Sequence, residues 1–396
     1  MDYYFTPAAD KLKPSAIREI LKLSSAPDII PFSAGNPSPE AFPSETVEKI
    51  IADIFKENPI DALQYSVTEG YVPLKNYLKQ YMAEKYQTGT DDDDIIITCG
   101  AQQVMSLSAN SLAGPGDTIL CESPSFVGSI NALKLSGANL VGVPMESDGM
   151  NINALEKAIK ENKNIRLLYI IPNFQNPTGI TTSLEKRKAI YELAKKHNFL
   201  IIEDNPYGDL YFDQAPPATI KSMDTEGIVI YAGSFSKVLA PGLRVGWCIA
   251  PKPLIAKFTA IKQTQDVHSN ILAQMIAYKF IAEHDFESHL KHLRSLYTEK
   301  AQLCFDLMER HLAPEIEFQK AKGGLFAWCK LPDSVDMPDF CTRAVKEYKT
   351  AVVPGSAFDI VPSRNQYFRI NYSTPTDEQI IKGMAILEQL KNEVLK

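Results

Sequence analysis

A single lysine, Lys237, stands between Ser236 and Val238 in the stretch GSFSKVLAPGLRVG, directly after the apolar run IVIYA. Lysines that serve only solubility sit on helix faces with their ammonium groups in water. Lys237 instead has Ser234, Ser236 and Arg244 for neighbours, the surroundings of an amine kept for covalent chemistry beside an anion pocket. Such an amine has to be partly deprotonated, which burial and nearby positive charge both promote. Other apolar runs end on groups of the same kind. LIIED leads into NPYGD, with Asp204 closing the run and Tyr207 just beyond it. LLYIIP leads into NFQNPTG, with Asn173 and Asn176, and IIIT leads into CGAQQ, which opens a helix at Gln102. Small residues at a helix start leave backbone N–H groups free to hold an anion.

Taken singly, these residues have plain structural readings. Lys237 reads as an exposed loop lysine, Asp204 as a turn stabiliser and Tyr207 as a core aromatic. Together they supply what pyridoxal phosphate needs: an amine for its aldehyde, an acid facing the ring nitrogen, donors to the phenolate oxygen and a phosphate cradle.

The elements that must position these groups follow from periodicity. Ile95–Thr98, Thr118–Cys121, Leu140–Val143, Leu167–Ile171, Leu200–Ile202 and Ile228–Tyr231 are short apolar runs suited to buried strands. Amphipathic stretches separate them, among them Leu155–Ile159 and Leu184–His197, the latter with Ser183 as its N-cap. This alternation predicts an α/β fold with a mostly parallel sheet between helices, whose sites lie beyond the carboxyl ends of the strands. A long polar helix over Phe286–His311, strands near Leu325–Cys329 and Phe368–Tyr372, and a closing helix over Asp377–Leu395 read as a smaller α+β domain. The expected division is 1–44 as an N-terminal segment with a gate helix, packed with the small domain, 45–285 as the large, cofactor-binding domain and 286–396 as the small one.

Composition excludes some classes of function. The 396 residues are 45% hydrophobic and 22% charged, with a net charge of −7, so no general basic face exists for nucleic acid. The N-terminus shows no secretory pattern, and the six cysteines form no C-x-x-C pair, so reduced structural cysteines in a cytoplasmic protein are expected. The longest uncharged run, Ile95–Gly116, reads as strand, turn and buried helix rather than a membrane span. Asp91–Asp94 reads as a solvated strand lead-in without the spacing of a calcium loop. His289 and His292 stand one helical turn apart on what reads as a solvated face, and no metal is expected.

The stretches FSAGNPSPEAFP, LQYSVTEGY, GAQQ, ESPSF, PNFQNPTG, EDNPYGDLYF, GSFSKVLAPGLRVG, KGGLFAW and FRINYS run in one order from about residue 11 to 373. In this the chain resembles the fold-type-I, class I aminotransferases that use pyridoxal phosphate. Within that class it is similar to the branch acting on 2-aminoadipate, kynurenine, aromatic or branched-chain amino acids. The resemblance implies a large domain with a seven-stranded-type sheet and a role for each matched residue. Lys237 would carry the cofactor's aldehyde and shuttle the proton, and Asp204 would keep the ring nitrogen protonated. Tyr207 and Asn176 would bond the phenolate oxygen, with Phe126 stacked on the ring. Ser234, Ser236, Arg244, the Ala101 N–H and the Gln102 end of the helix would hold the phosphate. Tyr65 would reach the phosphate in a neighbouring subunit, which implies a homodimer. Arg369, with Asn176 and Gly35, would hold the substrate α-carboxylate, and Arg18 in SAIREILKL would read a distal carboxylate. The implied reaction moves an amino group from an L-amino acid to a 2-oxo acid such as 2-oxoglutarate. The same scaffold also serves β-lyases, racemases and decarboxylases, and relatives occur behind DNA-binding domains as regulatory modules, so these readings stay open. A nicotinamide dehydrogenase is set aside, since CGAQQV stands where a G-x-G-x-x-G would be required.

Overall fold

The computed structural model describes residues 3–10, 26, 28–360 and 365–396. Its centre is an eight-stranded sheet in the order β1-β8-β7-β6-β5-β2-β3-β4. The strands are β1 (Asp93–Cys99), β2 (Thr118–Ser123), β3 (Asn139–Glu146), β4 (Gly149–Met150), β5 (Ile165–Ile170), β6 (Leu200–Asp204), β7 (Val229–Ser234) and β8 (Val245–Pro251). From β7 to β3 all neighbours run parallel; β8 and β1 form an antiparallel edge. The sheet thus has the expected architecture with one strand more than the seven-stranded pattern. The chain turns back after β3, and the two-residue β4 pairs with it antiparallel. The sequence reading did not mark β8, although VGWCIA is a buried apolar run.

Strand residues alternate between two cores, as a period of two requires when both faces are covered. Leu167 and Tyr169 on β5 belong to one apolar cluster, and Leu168 and Ile170 to the other. Ile202 and Ile201 on β6 divide in the same way. In the parallel block β2 is followed by β3 on one side and by β5 on the other, so a crevice opens beyond the carboxyl ends of β2 and β5. Helix α1 (Ala101–Leu112) follows β1, α2 (Val127–Lys134) follows β2 and α3 (Leu184–His197) precedes β6. The Ser183 side chain caps α3 by accepting the Lys186 N–H.

A second, antiparallel sheet has the order β11-β12-β10-β9, with β9 (Glu317–Phe318), β10 (Phe326–Lys330), β11 (Val353–Pro354) and β12 (Tyr367–Asn371). Its core is closed by the C-terminal half of α4 (Phe286–His311) and by α5 (Asp377–Val394), which begins with a Thr376/Gln379 capping box. The first half of α4 buries Phe286, Leu290, Leu293 and Tyr297 in the core of the large sheet. Its second half buries Ala301, Cys304, Phe305 and Met308 in the core of the small one. Residues near Ile30 join the small sheet: Ile30 N–H donates to the Lys349 carbonyl at 2.8 Å, and Asn371 N–H to the Phe32 carbonyl at 2.8 Å.

Two local expectations need correction. Asp93 is buried and accepts a 2.7 Å bond from the buried Lys221 ammonium, so the aspartate run is not uniformly solvated. His289 is turned inward. It donates from Nε2 to the Val238 carbonyl at 2.8 Å, with its ring 5.1 Å from that of Phe280, while His292 remains exposed. All six cysteines are free, and only Cys99 is exposed.

Candidate active site

A cleft of about 500 Å3 lies at the strand ends and is lined by Gly35, Ala101, Gln102, Phe126, Asn176, Asp204, Tyr207, Ser234, Ser236, Lys237, Arg244 and Arg369, among others. Twelve of the expected site residues therefore converge. Tyr65 does not: it is 81% exposed and packs edge-on against His268, away from this chain's own cleft. Arg18 lies outside the described residues.

Lys237 follows β7 in a tight turn, in which the N–H groups of Leu239 and Ala240 both donate to the Phe235 carbonyl. Its amine donates to the Gly35 carbonyl at 2.7 Å. Burial, helped by Arg369 and then Arg244, pushes the amine down to about 8, so a sizeable fraction is nucleophilic near neutral pH.

Asp204 closes β6. Tyr169, on the neighbouring β5, donates to its Oδ2 at 2.8 Å, while its Oδ1 is buried with no partner. Burial pushes this carboxyl up to about 7. Tyr207 is buried, bonds Asn176 and meets the Phe326 ring edge-on at 5.8 Å; burial raises its phenol further above the ordinary range.

The anion cradle combines three pieces. Ser234 Oγ donates to Ser236 Oγ at 2.9 Å, and the Ser236 N–H donates to Ser234 Oγ at 3.1 Å. Arg244 donates to Ser236 Oγ at 3.4 Å and to the Cys99 carbonyl at 3.2 Å. The N-terminus of α1 opens beside them after Gly100, whose φ is +70°. A Cβ at Gly100 would stand 2.3 Å from Arg244 Nη2, so glycine is required for the guanidinium to reach the helix start. On the opposite wall, a Cβ at Gly128 would meet the Phe126 ring at 2.6 Å.

Arg369 on β12 is buried between two rings, 4.4 Å from the Phe326 centroid and 5.1 Å from that of Phe358. Its Nη1 donates to Asn176 Oδ1 at 2.9 Å, and its Nη2 to the Ser33 and Ala34 carbonyls at 2.7 and 2.9 Å. Its Nε is buried without a partner, and no carboxylate among the described residues pairs with it. Burial lowers it to about 10, still fully charged at neutral pH. A buried guanidinium with a spare N–H is a ready receptor for a planar carboxylate.

Sequence reasoning missed Tyr169, Phe326 and Phe358. A tyrosine in the otherwise apolar LLYII was the available signal for the first, since its hydroxyl needs a polar partner. The two phenylalanines lie far from Arg369 in the packing order that sequence alone displays.

Comparison with known proteins decides the family. Residues 27–387 match the family model described as aminotransferase class I and II. The chain belongs to that family. This aminotransferase is 36% identical to aromatic-amino-acid aminotransferase 1 of Thermococcus litoralis, over 100% of this chain and 96% of the relative. It superposes on the kynurenine aminotransferase of Pyrococcus horikoshii, solved with PMP, with a TM-score of 0.95 and 33% identity over 99% and 98% of the two chains. The alpha-aminoadipate aminotransferase LysN of Thermus thermophilus, complexed with N-(5'-phosphopyridoxyl)-L-leucine, gives a TM-score of 0.90 with 34% identity over 99% and 98%. The cofactor is pyridoxal phosphate. The residues fit it on structural grounds: a buried carboxylate oxygen lacks a partner, a half-buried amine lines the same cleft, and hydroxyls, a guanidinium and a helix start form an anion cradle.

Proposed function

We propose that the aminotransferase moves the α-amino group of an L-amino acid to a 2-oxo acid such as 2-oxoglutarate. The range includes 2-aminoadipate, glutamate, aromatic and branched-chain donors. The observation that carries this reading is the pairing, in one cleft, of the half-buried Lys237 amine with the buried Arg369 guanidinium, which has a spare N–H and no carboxylate among the described residues. The names of the relatives support the donor range.

When bound, pyridoxal phosphate supplies an aldehyde for the substrate nitrogen and a protonated ring that spreads the charge left at the α-carbon. The chain's residues do the rest. Arg369 and Asn176 bind the substrate α-carboxylate beside the Gly35 segment and so fix which bond at Cα faces the cofactor. Lys237, once free, takes the α-proton at Nζ. Asp204 would hold a proton at the ring nitrogen, and Tyr207 with Asn176 would supply donors to the ring oxygen. Phe126 would pack against the ring, while Ser234, Ser236, Arg244, the Ala101 N–H and Gln102 would hold the phosphate. A second oxo acid takes the same steps in reverse.

The assembly we propose is a homodimer in which the exposed Tyr65 reaches the neighbouring phosphate, with residues 45–285 and 286–396 as its large and small domains. The compartment is the cytoplasm, in keeping with six free cysteines. No helix among the described residues is long and apolar enough to cross a membrane. A distal carboxylate on the substrate is assigned to Arg18 on the resemblance to relatives alone, since Arg18 lies outside the described residues.

The test is the absorbance of the purified protein before and after single amino acids, without oxo acid. Loss of the band of the lysine-bound cofactor with growth of the pyridoxamine band is expected; bound cofactor that no amino acid converts overturns the proposal in favour of a regulatory or other cofactor-dependent role. Arg18→Gln lowers the efficiency with glutamate relative to leucine; an unchanged ratio removes Arg18 from substrate recognition.

A further inference from the structure

Glu122, the penultimate residue of β2, is fully buried and has no role in the chemistry above. Its Oε2 accepts from the Ile171 N–H at 2.9 Å and from Gln175 Nε2 at 3.1 Å, while its Oε1 is buried without a partner. Gln175 is the hub of the loop beyond β5. Its Nε2 also donates to the Pro124 carbonyl at 2.8 Å, and its Oε1 accepts from the Thr178 hydroxyl at 2.7 Å and the Thr178 N–H at 3.2 Å. One buried pair therefore joins the two loops that flank the crevice. The loop beyond β2 carries Phe126; the loop beyond β5 carries Asn176, which bonds both Arg369 and Tyr207.

We propose that Glu122 and Gln175 are positioning residues that set the gap between Phe126 and Asn176, and with it the fit of the cofactor ring and of the substrate α-carboxylate. This rests on the reading of the cleft given above. A through-chain path from Phe126 to Asn176 spans fifty residues, whereas the path through this pair crosses a few side-chain bonds. Rigid supporting bonds of this kind hold a site within the fraction of an ångström that its chemistry demands.

The geometry asks for an acceptor at Oε2 and tolerates a neutral partner at Oε1. The titratable or charged groups that act on Glu122 are Asp204 on β6, Arg187 on α3 and, on adjacent strand positions, Tyr169 and Cys121. Burial, with Asp204 adding to it, pushes Glu122 up to about 8, which accords with a neutral carboxyl at physiological pH. Glutamine is then nearly its isostere.

The experiment compares Glu122→Gln, Glu122→Ala and Gln175→Leu as holo-proteins. Pyridoxal phosphate retention is read by equilibrium dialysis of the visible band, and KM and kcat by turnover. Glu122→Ala and Gln175→Leu are expected each to weaken cofactor retention and raise amino-acid KM by about tenfold, since both break the bond the two residues share. Glu122→Gln stays close to wild type in both. The double variant Glu122→Ala with Gln175→Leu loses no more than either single one, because the residues act as a unit. Wild-type retention and KM in both disruptive variants overturn the proposal. So does a Glu122→Gln protein as impaired as Glu122→Ala, since charge rather than geometry would then be what matters. If Glu122→Ala does not fold, Gln175→Leu carries the same comparison. A wild-type protein that binds the cofactor but converts no amino acid would sink the functional reading while leaving the retention series decisive.

Discussion

Lys221 and Lys237 are both withdrawn from water, Lys221 fully and Lys237 in part, yet one is a strut and the other a reagent. The Lys221 side chain is 1% exposed, and its ammonium sits between two carboxylates, Asp93 at 2.7 Å and Asp224 at 2.9 Å. Lys237 has one backbone carbonyl and, nearby, two guanidiniums. Arg187 and Arg369 repeat the contrast. Arg187 is fully buried and uses Nε and both terminal nitrogens on Thr182, Pro217, Ala218, Pro172 and Asn173. Arg369 keeps its Nε unspent. Burial alone therefore does not mark a functional cation. An incomplete partner set does, because the protein then carries a desolvation cost that only a ligand offsets.

The sharpest way to break this contrast is at the lysines. Lys237→Ala should lower turnover at least about a thousandfold, as loss of the proton-transfer group implies, with the urea midpoint little changed. Lys221→Ala should do the reverse. It leaves two buried carboxylates without their cation, for an expected loss of about 3–5 kcal/mol of stability, while the folded fraction keeps its kcat. Turnover and urea titration on both variants decide the matter, and equal damage to stability would erase the distinction.

At the arginines the expected effect is smaller. Arg369→Gln should cut kcat/KM for amino acids about a hundredfold, the equivalent of a charge-assisted pair, while cofactor retention persists. Arg187→Met should act on the urea midpoint and leave the selectivity among amino acids alone. A large rise in KM for Arg187→Met would show that its hold on Pro172 and Asn173 reaches the substrate.

The mildest test uses pH. Capture of pyridoxal phosphate by cofactor-free protein requires the unprotonated amine, so its rate should climb as pH rises through about 8. Nearby positive charge disfavours protonation of Lys237, so its removal in Arg369→Gln should move that midpoint upward, toward an ordinary lysine. Stopped-flow absorbance across pH reads both; an unmoved midpoint would remove Arg369 as a cause and leave burial with Arg244.

Much of the site was legible in the sequence because each group closes an apolar run, and a strand's end is where a parallel sheet presents chemistry. Lys237, Asp204 and Asn176 were found in this way, and Arg244 as a neighbour of Lys237 in the same stretch. What stayed hidden depends on partners distant in the chain. Tyr169 beneath Asp204, Phe326 against Arg369 and Gln175 against Glu122 are pairings set by tertiary packing. Asp93 read as solvated because its counter-ion lies 128 residues away, and His289 because nothing local announces the Val238 carbonyl. The strand β8 was overlooked since its first residues were already assigned to a phosphate motif.

Helix α4 gives half its apolar face to each core. Its 26 residues make a continuous rod of about 39 Å. Near one end, His289 grips the carbonyl next to Lys237; farther along, Lys300 donates to the Pro375 carbonyl beside the small sheet that carries Arg369. No loop interrupts the helix between the two fixings. An intact helix bends gently and springs back. One continuous helix therefore holds both the turn that carries Lys237 and the edge of the sheet that carries Arg369, so a rod rather than a loop sets their spacing.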